Sequence, residues 1–109
     1  MTDRALLEAA AKAAGLQIDF WFAGEDGADE ASVVGQARAW NPLTDDGDAL
    51  RLAVKLRMEI APIEGGGVDV ILWRDGAMFG EIISECAADP YAATRRAIVR
   101  AAAAIGGAK

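Results

Sequence analysis

Between residues 68 and 86 the chain reads Val-Asp-Val-Ile-Leu-Trp-Arg-Asp-Gly-Ala-Met-Phe-Gly-Glu-Ile-Ile-Ser-Glu-Cys, two apolar stretches parted by Asp75-Gly76. Asp-Gly between apolar runs favours a type I′ turn, whose two central residues need positive φ, so the pattern predicts an antiparallel hairpin with this turn at its tip. The register then sets Arg74 opposite Ala77, Trp73 opposite Met78, Leu72 opposite Phe79, Ile71 opposite Gly80 and Val70 opposite Glu81. Side chains alternate across a strand, which puts Val68, Val70 and Leu72 on one face with Phe79 and Ile83, and Ile71 and Trp73 on the other with Met78 and Ile82. Both faces are apolar, so cover is expected on two sides.

The remaining pattern predicts elements around this hairpin. Thr2 is placed as an N-cap, and Leu6, Ala9, Ala10, Ala13 and Leu16 form a helical stripe that Gly15 is placed to end. From Leu16 the apolar character alternates through Ile18, Phe20 and Phe22, a half-buried strand with Trp21 on its opposite face. An acidic loop follows over residues 23–30, then a weak edge strand over Ser32 to Trp40, interrupted by Gly35. Thr44 is the expected N-cap of a second helix, with Asp45, Asp46 and Asp48 at its positive end. Its buried stripe is expected along Leu50, Val54 and Met58, widened by Ala49, Leu52, Ala53 and Leu56, with Asp48, Arg51, Lys55 and Glu59 in water.

Met58 to Ile63 alternates as a strand that Pro62 confines to an edge or ends, and Glu64-Gly-Gly-Gly67 reverses the chain. Asp89-Pro90 opens a closing helix whose inner face is Ala93, Ala97, Ile98, Ala101, Ala102 and Ile105, with Gly106 at its end. These elements predict one α+β domain over residues 1–109. It has an antiparallel sheet of four or five strands, centred on the Asp75-Gly76 hairpin and covered by three helices. The first and last helices share a face; the Thr44 helix lies on the same or the opposite one.

Composition narrows the chemistry. The chain is 53% hydrophobic, but much of that is alanine, so core volume rests on a few large residues such as Phe20, Trp21, Trp40, Ile71, Trp73 and Ile98. Seventeen acidic against eleven basic side chains give a net charge of -6, which argues against direct nucleic-acid binding. With no histidine, histidine triads, zincin motifs and histidine general bases are excluded. Cys86 is the only cysteine and makes no internal disulfide, which suits a reducing cytoplasm. The start, Met-Thr-Asp-Arg, lacks the pattern of a signal peptide, and no apolar run approaches the roughly 18 residues of a membrane span.

Three features invite a site. Asp45, Asp46 and Asp48 are candidate divalent-metal ligands, although capping of the second helix explains them more simply. Glu25 to Glu30 alternates acids with glycine without the ligand order of an EF-hand loop, and Gly65 to Gly67 lacks the lysine and Ser/Thr of a P-loop. Arg95, Arg96 and Arg100 make the densest basic cluster: residues 89–109 hold four basic side chains and one acidic. No catalytic set and no cofactor motif emerges.

From Trp40 to Gly106 the chain carries the helix start Thr44-Asp45, an amphipathic helix, a central aromatic-rich hairpin and the proline-led helix Pro90-Tyr-Ala-Ala-Thr-Arg-Arg-Ala-Ile-Val-Arg-Ala-Ala102. In these features it resembles the phage α/β/α sandwich domain proteins, small proteins encoded by temperate phages and prophages. The segment before Trp40 departs from that pattern. The resemblance implies sandwich-like layering and an accessory role inside a bacterial host cell, and brings no catalytic residues with it.

The expected function is therefore a non-catalytic phage or prophage accessory protein acting through protein contacts in the cytoplasm, as a homodimer and with a host or phage protein as partner. Trp21, Trp40, Arg95, Arg96 and Arg100 are the candidate interface residues. No membrane contact is expected. Two alternatives stand beside it: a divalent-metal-dependent carboxylate enzyme, and an acidic nucleic-acid mimic that occupies the basic groove of a host enzyme.

Overall fold

The first helix shows how local chemistry sets the ends of an element. In the computed structural model, which describes residues 2–24, 27–74, 77–78, 83–86 and 88–107, α1 spans Asp3–Ala13. The Thr2 hydroxyl accepts the Ala5 N–H at 3.1 Å, and the helix ends in paired bonds from Leu16 N–H to the Ala11 carbonyl and from Gly15 N–H to the Lys12 carbonyl. Gly15 has φ of 72°, the left-handed turn such an ending needs and only glycine adopts without strain.

Next come β1 (Ile18–Ala23) and β2 (Asp29–Val33), an antiparallel hairpin whose acidic strand lies earlier than the expected Ser32 to Trp40 strand. Beyond Val33 the chain turns at Gly35, with φ of 86°, and Trp40 returns only as an isolated bridge to Ala31. The face assignment of β1 is also overturned. The register steps between Ile18↔Val33 and Phe20↔Ser32, so Asp19 is an extra, bulged residue. One extra residue reverses the alternation beyond it. Ile18 and Trp21 therefore pack on the core, whereas Phe20 is 56% exposed and Phe22 lies outside with it.

The second helix, α2, spans Asp46–Lys55. Its N-cap is Asp45 rather than the expected Thr44, because the Asp45 carboxylate accepts the Asp48 N–H at 2.8 Å while the Thr44 hydroxyl turns back to the Asn41 carbonyl. Its buried face is Asp48, Ala49, Leu52 and Ala53. Of the expected stripe, Leu50 and Val54 lie outside, 60% and 70% exposed, whereas Met58 begins β3 and packs on the core, and the expected widening residues Ala49, Leu52 and Ala53 are buried. Small residues at 49 and 53 let the helix settle on its neighbour, with Leu52 filling the contact, and this turns the larger pair away.

Strands β3 (Met58–Ile63) and β4 (Gly67–Arg74) pair antiparallel around a turn in which Gly65 and Gly66 have φ near +95° and +93°. Pairing continues through Pro62, so β3 is an edge strand that the proline does not end. β5 (Ala77–Met78) and β6 (Ile83–Cys86) both line the other edge of β4. Trp73↔Met78 and Arg74↔Ala77 have the expected register, whereas Val70 pairs with Ile83 rather than Glu81. The offset is two residues, an even number, so the expected faces survive. The turn residues Asp75 and Gly76, and Phe79 to Ile82, lie outside the described residues.

The chain closes with α3 (Pro90–Gly107), opened by the Asp89 carboxylate accepting the Tyr91 N–H at 2.9 Å. Gly106 does not close the helix as expected but lies inside it, where a β-carbon would fall 1.9 Å from the Ala9 carbonyl oxygen. Glycine is required there by the close approach of α1.

The protein is thus α+β, with its strands divided between a β1–β2 sheet and a β3–β4–β5/β6 sheet rather than joined in one sheet of four or five. Val68, Val70 and Leu72 are buried toward α3, which packs on β4 and β6. α1 packs on α3 instead of covering the sheet, and α2 lies beside α3 against β3. The β1–β2 hairpin sits on α1, where the Arg4 guanidinium lies 5.0 Å from the centre of the Trp21 ring and pairs with Asp29 at 3.3 Å. The opposite sheet face, with Glu59, Ala61, Ile63, Asp69, Ile71 and Trp73, is half-buried to exposed, so cover on both sides is not what the described residues show.

Candidate functional site

The densest polar region is the crossing from the β1–β2 hairpin into α2. Trp40 and Ala31 exchange both backbone hydrogen bonds, at 2.9 and 3.0 Å, and Trp40 is buried in the core. Pro42 is fully buried just after it. Between them Asn41 is held on every side: its amide nitrogen donates to the Asp29 carbonyl, its amide oxygen accepts the Leu43 N–H at 2.8 Å, and its backbone N–H donates to Asp48 Oδ2 at 3.0 Å. Asp48 Oδ1 accepts from Arg51 at 2.7 Å. Buried polar groups must find partners within the fold, and these have.

The two neighbouring carboxylates are engaged in different directions. Asp45 caps the helix and lies 3.9 Å from Arg51. Asp46 pairs with Arg95 at 2.6 Å, while the Arg95 Nε–H donates to the Leu43 carbonyl at 2.8 Å. Asp45 and Asp48 thus share Arg51 while capping the helix and holding a buried backbone amide, and Asp46 turns away to an arginine of α3. Among the described residues no group of three His, Cys, Asp or Glu side chains is placed to hold a metal ion. Glu25 and Asp26 of the acidic loop lie outside those residues. A polar cleft of about 410 Å³ opens beside this network, with Glu30, Arg38, Thr44 and Asp45 on its walls. Of the carboxylates lining it, Asp45 and Asp48 are those already bonded at the crossing, and the arrangement clamps hairpin to helix.

The candidate interface residues scatter. Trp40 is inside the protein. Trp21 is half-buried beneath Arg4. Arg95 is mostly covered, at 18% side-chain exposure, Arg96 reaches Asp3 at 3.3 Å, and Arg100 is exposed and has an interaction of its own. The three arginines thus serve separate contacts.

What sequence reasoning missed is a patch of apolar side chains on the outside: Leu50 and Val54 of α2 with Tyr91, itself 69% exposed, at the start of α3. Between them runs a predominantly apolar groove of about 290 Å³, floored by Ile60 and Ile98. Helical spacing groups Leu50 with Val54 but does not say whether the pair faces inward. Phe20 and Phe22 form a smaller aromatic patch, with ring centroids 6.0 Å apart.

Comparison with protein-family models, curated proteins and solved structures finds no match. Among the described residues, no helix is long and apolar enough to cross a membrane.

Proposed function

We propose that this protein is a non-catalytic interaction module that works through protein contacts and associates with itself. The observation carrying this reading is the exposure of Leu50, Val54, Tyr91, Phe20 and Phe22 while the carboxylates and arginines that chemistry would recruit are bonded across the fold. Contiguous exposed apolar surface on a small protein marks a contact site. The phage or prophage setting, and with it the cytoplasm of a bacterial host and a host or phage partner, is supported by the residue resemblance over 40–106. The fuller α/β/α layering belongs to the same proposal, with the open face of the larger sheet as the place where a partner supplies the missing layer.

Sedimentation equilibrium from micromolar to several hundred micromolar tests self-association, with a dimer as the expected result; a monomer throughout would overturn it. Thermal melts with millimolar calcium, magnesium or manganese test the metal-enzyme alternative, because an ion bound only by the folded state raises its melting temperature. No shift is expected. A shift abolished by Asp45→Asn with Asp46→Asn would replace the non-catalytic reading with the enzyme one.

A further inference from the structure

We infer that the outer edge of β3, together with the exposed face of α2, is the surface on which a second copy of this chain docks, the two β3 strands pairing antiparallel about a twofold axis at Ile60. This inference rests on the self-association proposed above and assigns it to a place that neither aromatic patterning nor the arginine cluster indicated.

Three observations converge there. The first is the open backbone. Among the described residues β3 pairs with β4 alone, and an unpaired edge is a template for another strand. Because the β3–β4 register runs unbroken through Pro62, the nitrogen that cannot donate points away from β4. Alternation then directs the N–H and carbonyl groups of Met58 and Ile60, and the Pro62 carbonyl, outward.

The second observation is apolar surface continuous with that edge. Ile60 and Leu50 line the same groove, and Val54 stands one turn beyond Leu50 at 70% exposure. The turn Leu56-Arg57 joins α2 directly to β3, with Arg57 at φ of 55°. A helix rises about 1.5 Å and a strand about 3.3 Å per residue, so Ile60 stands level with the middle of α2. One twofold axis can therefore pass near both.

The third is self-complementarity. Strands centred on Ile60 exchange two hydrogen bonds at Ile60, and each Met58 N–H meets the Pro62 carbonyl of the second copy; the proline nitrogen leaves each Met58 carbonyl without a ladder donor, so the strands share four bonds. Glu59 then faces Ala61 of the second copy rather than another Glu59. Above the strands the two α2 helices run antiparallel. The acidic end, Asp45 and Asp46, approaches Lys55 and Arg57 of the second copy, and the helix dipoles oppose. An unrelated strand would meet the edge but not this pairing of charge. The contact is isologous, as closed dimers require.

The test compares the intact protein with single-residue variants by sedimentation equilibrium. Val54→Glu and Leu50→Glu change exposed side chains and should leave circular dichroism and melting of the isolated chain near the parent's, while weakening the dimer at least about tenfold, as truncation of a central interface residue does. Phe20→Ser should leave the dimer intact. Amide exchange gives a second reading: the Met58 and Ile60 N–H groups should be protected at high protein concentration and lose that protection on dilution or in Val54→Glu. A dimer unaffected by both α2 variants, or dissociated by Phe20→Ser alone, would overturn this assignment and leave self-association standing. A parent that stays monomeric at several hundred micromolar would overturn both. An interface in which only the exchange pattern fails would overturn the strand pairing at Ile60.

Discussion

The hairpins β1–β2 and β3–β4 are attached to the helices by different means. β3–β4 presents Val68, Val70 and Leu72, all nearly inaccessible, to α3, so its seat is apolar packing spread along a strand. β1–β2 rests on α1 through Trp21 beneath Arg4 and the Arg4–Asp29 pair, and is joined to α2 by the amide of Asn41 and the Trp40–Ala31 bridge. Packing tolerates small shifts because dispersion contacts have no direction, whereas the Asn41 network depends on each donor meeting its acceptor. The first hairpin can therefore be loosened by single polar changes, and the second chiefly by removing volume.

The contrast can be broken at its strongest point first. Leu72→Ala removes a nearly buried side chain from the face on α3 and should lower unfolding free energy by about 2–5 kcal/mol in a denaturant titration. A loss like that of a surface substitution would mean that β4 is not seated by packing. Asn41→Leu keeps the volume but leaves the Leu43 N–H and the Asp29 carbonyl unpaired, an expected loss of about 1–3 kcal/mol, with amide exchange in β2 accelerated more than in β4.

Smaller effects sharpen the picture. Arg4→Ala removes an exposed cation from the Trp21 ring and from Asp29, for which about 0.5–1 kcal/mol is the expected magnitude. Near-UV circular dichroism of Trp21 should change with it. Phe20→Ser, on the outside of the same hairpin, should stay within about 0.5 kcal/mol of the parent. A large loss there would mean that the aromatic pair is covered in solution and that β1 faces the other way.

The ends of α1 and the start of α3 were legible, although the expected Thr44 cap and Gly106 ending were not where the chain puts them. Thr2, Gly15 and Asp89-Pro90 each act where local pattern places them, because a cap involves groups within a few residues of one another. The alternation of Val68, Val70 and Leu72 likewise reads true, and a two-residue offset in β6 leaves it unharmed. The candidate site was legible as composition only. Asp45, Asp46 and Asp48 are close in sequence and two of them share Arg51 of the same helix, yet the partners that decide their role, Arg95 and the Asn41 N–H, lie outside α2, and nothing in the spacing announces them.

Sequence alone determined the starts of α1 and α3, the Gly15 ending, the edge character that Pro62 imposes and the inner face of β4, since each follows from hydrogen bonding or alternation over a few neighbouring residues. Tertiary structure decided the bulge at Asp19 that turns Trp21 inward, the roll of α2 that leaves Leu50 and Val54 outside, and the approach of α1 that makes Gly106 necessary. An amphipathic pattern offers more than one apolar face for burial. Which face is buried depends on the shape of the surface it meets, and that surface is made by residues far away along the chain.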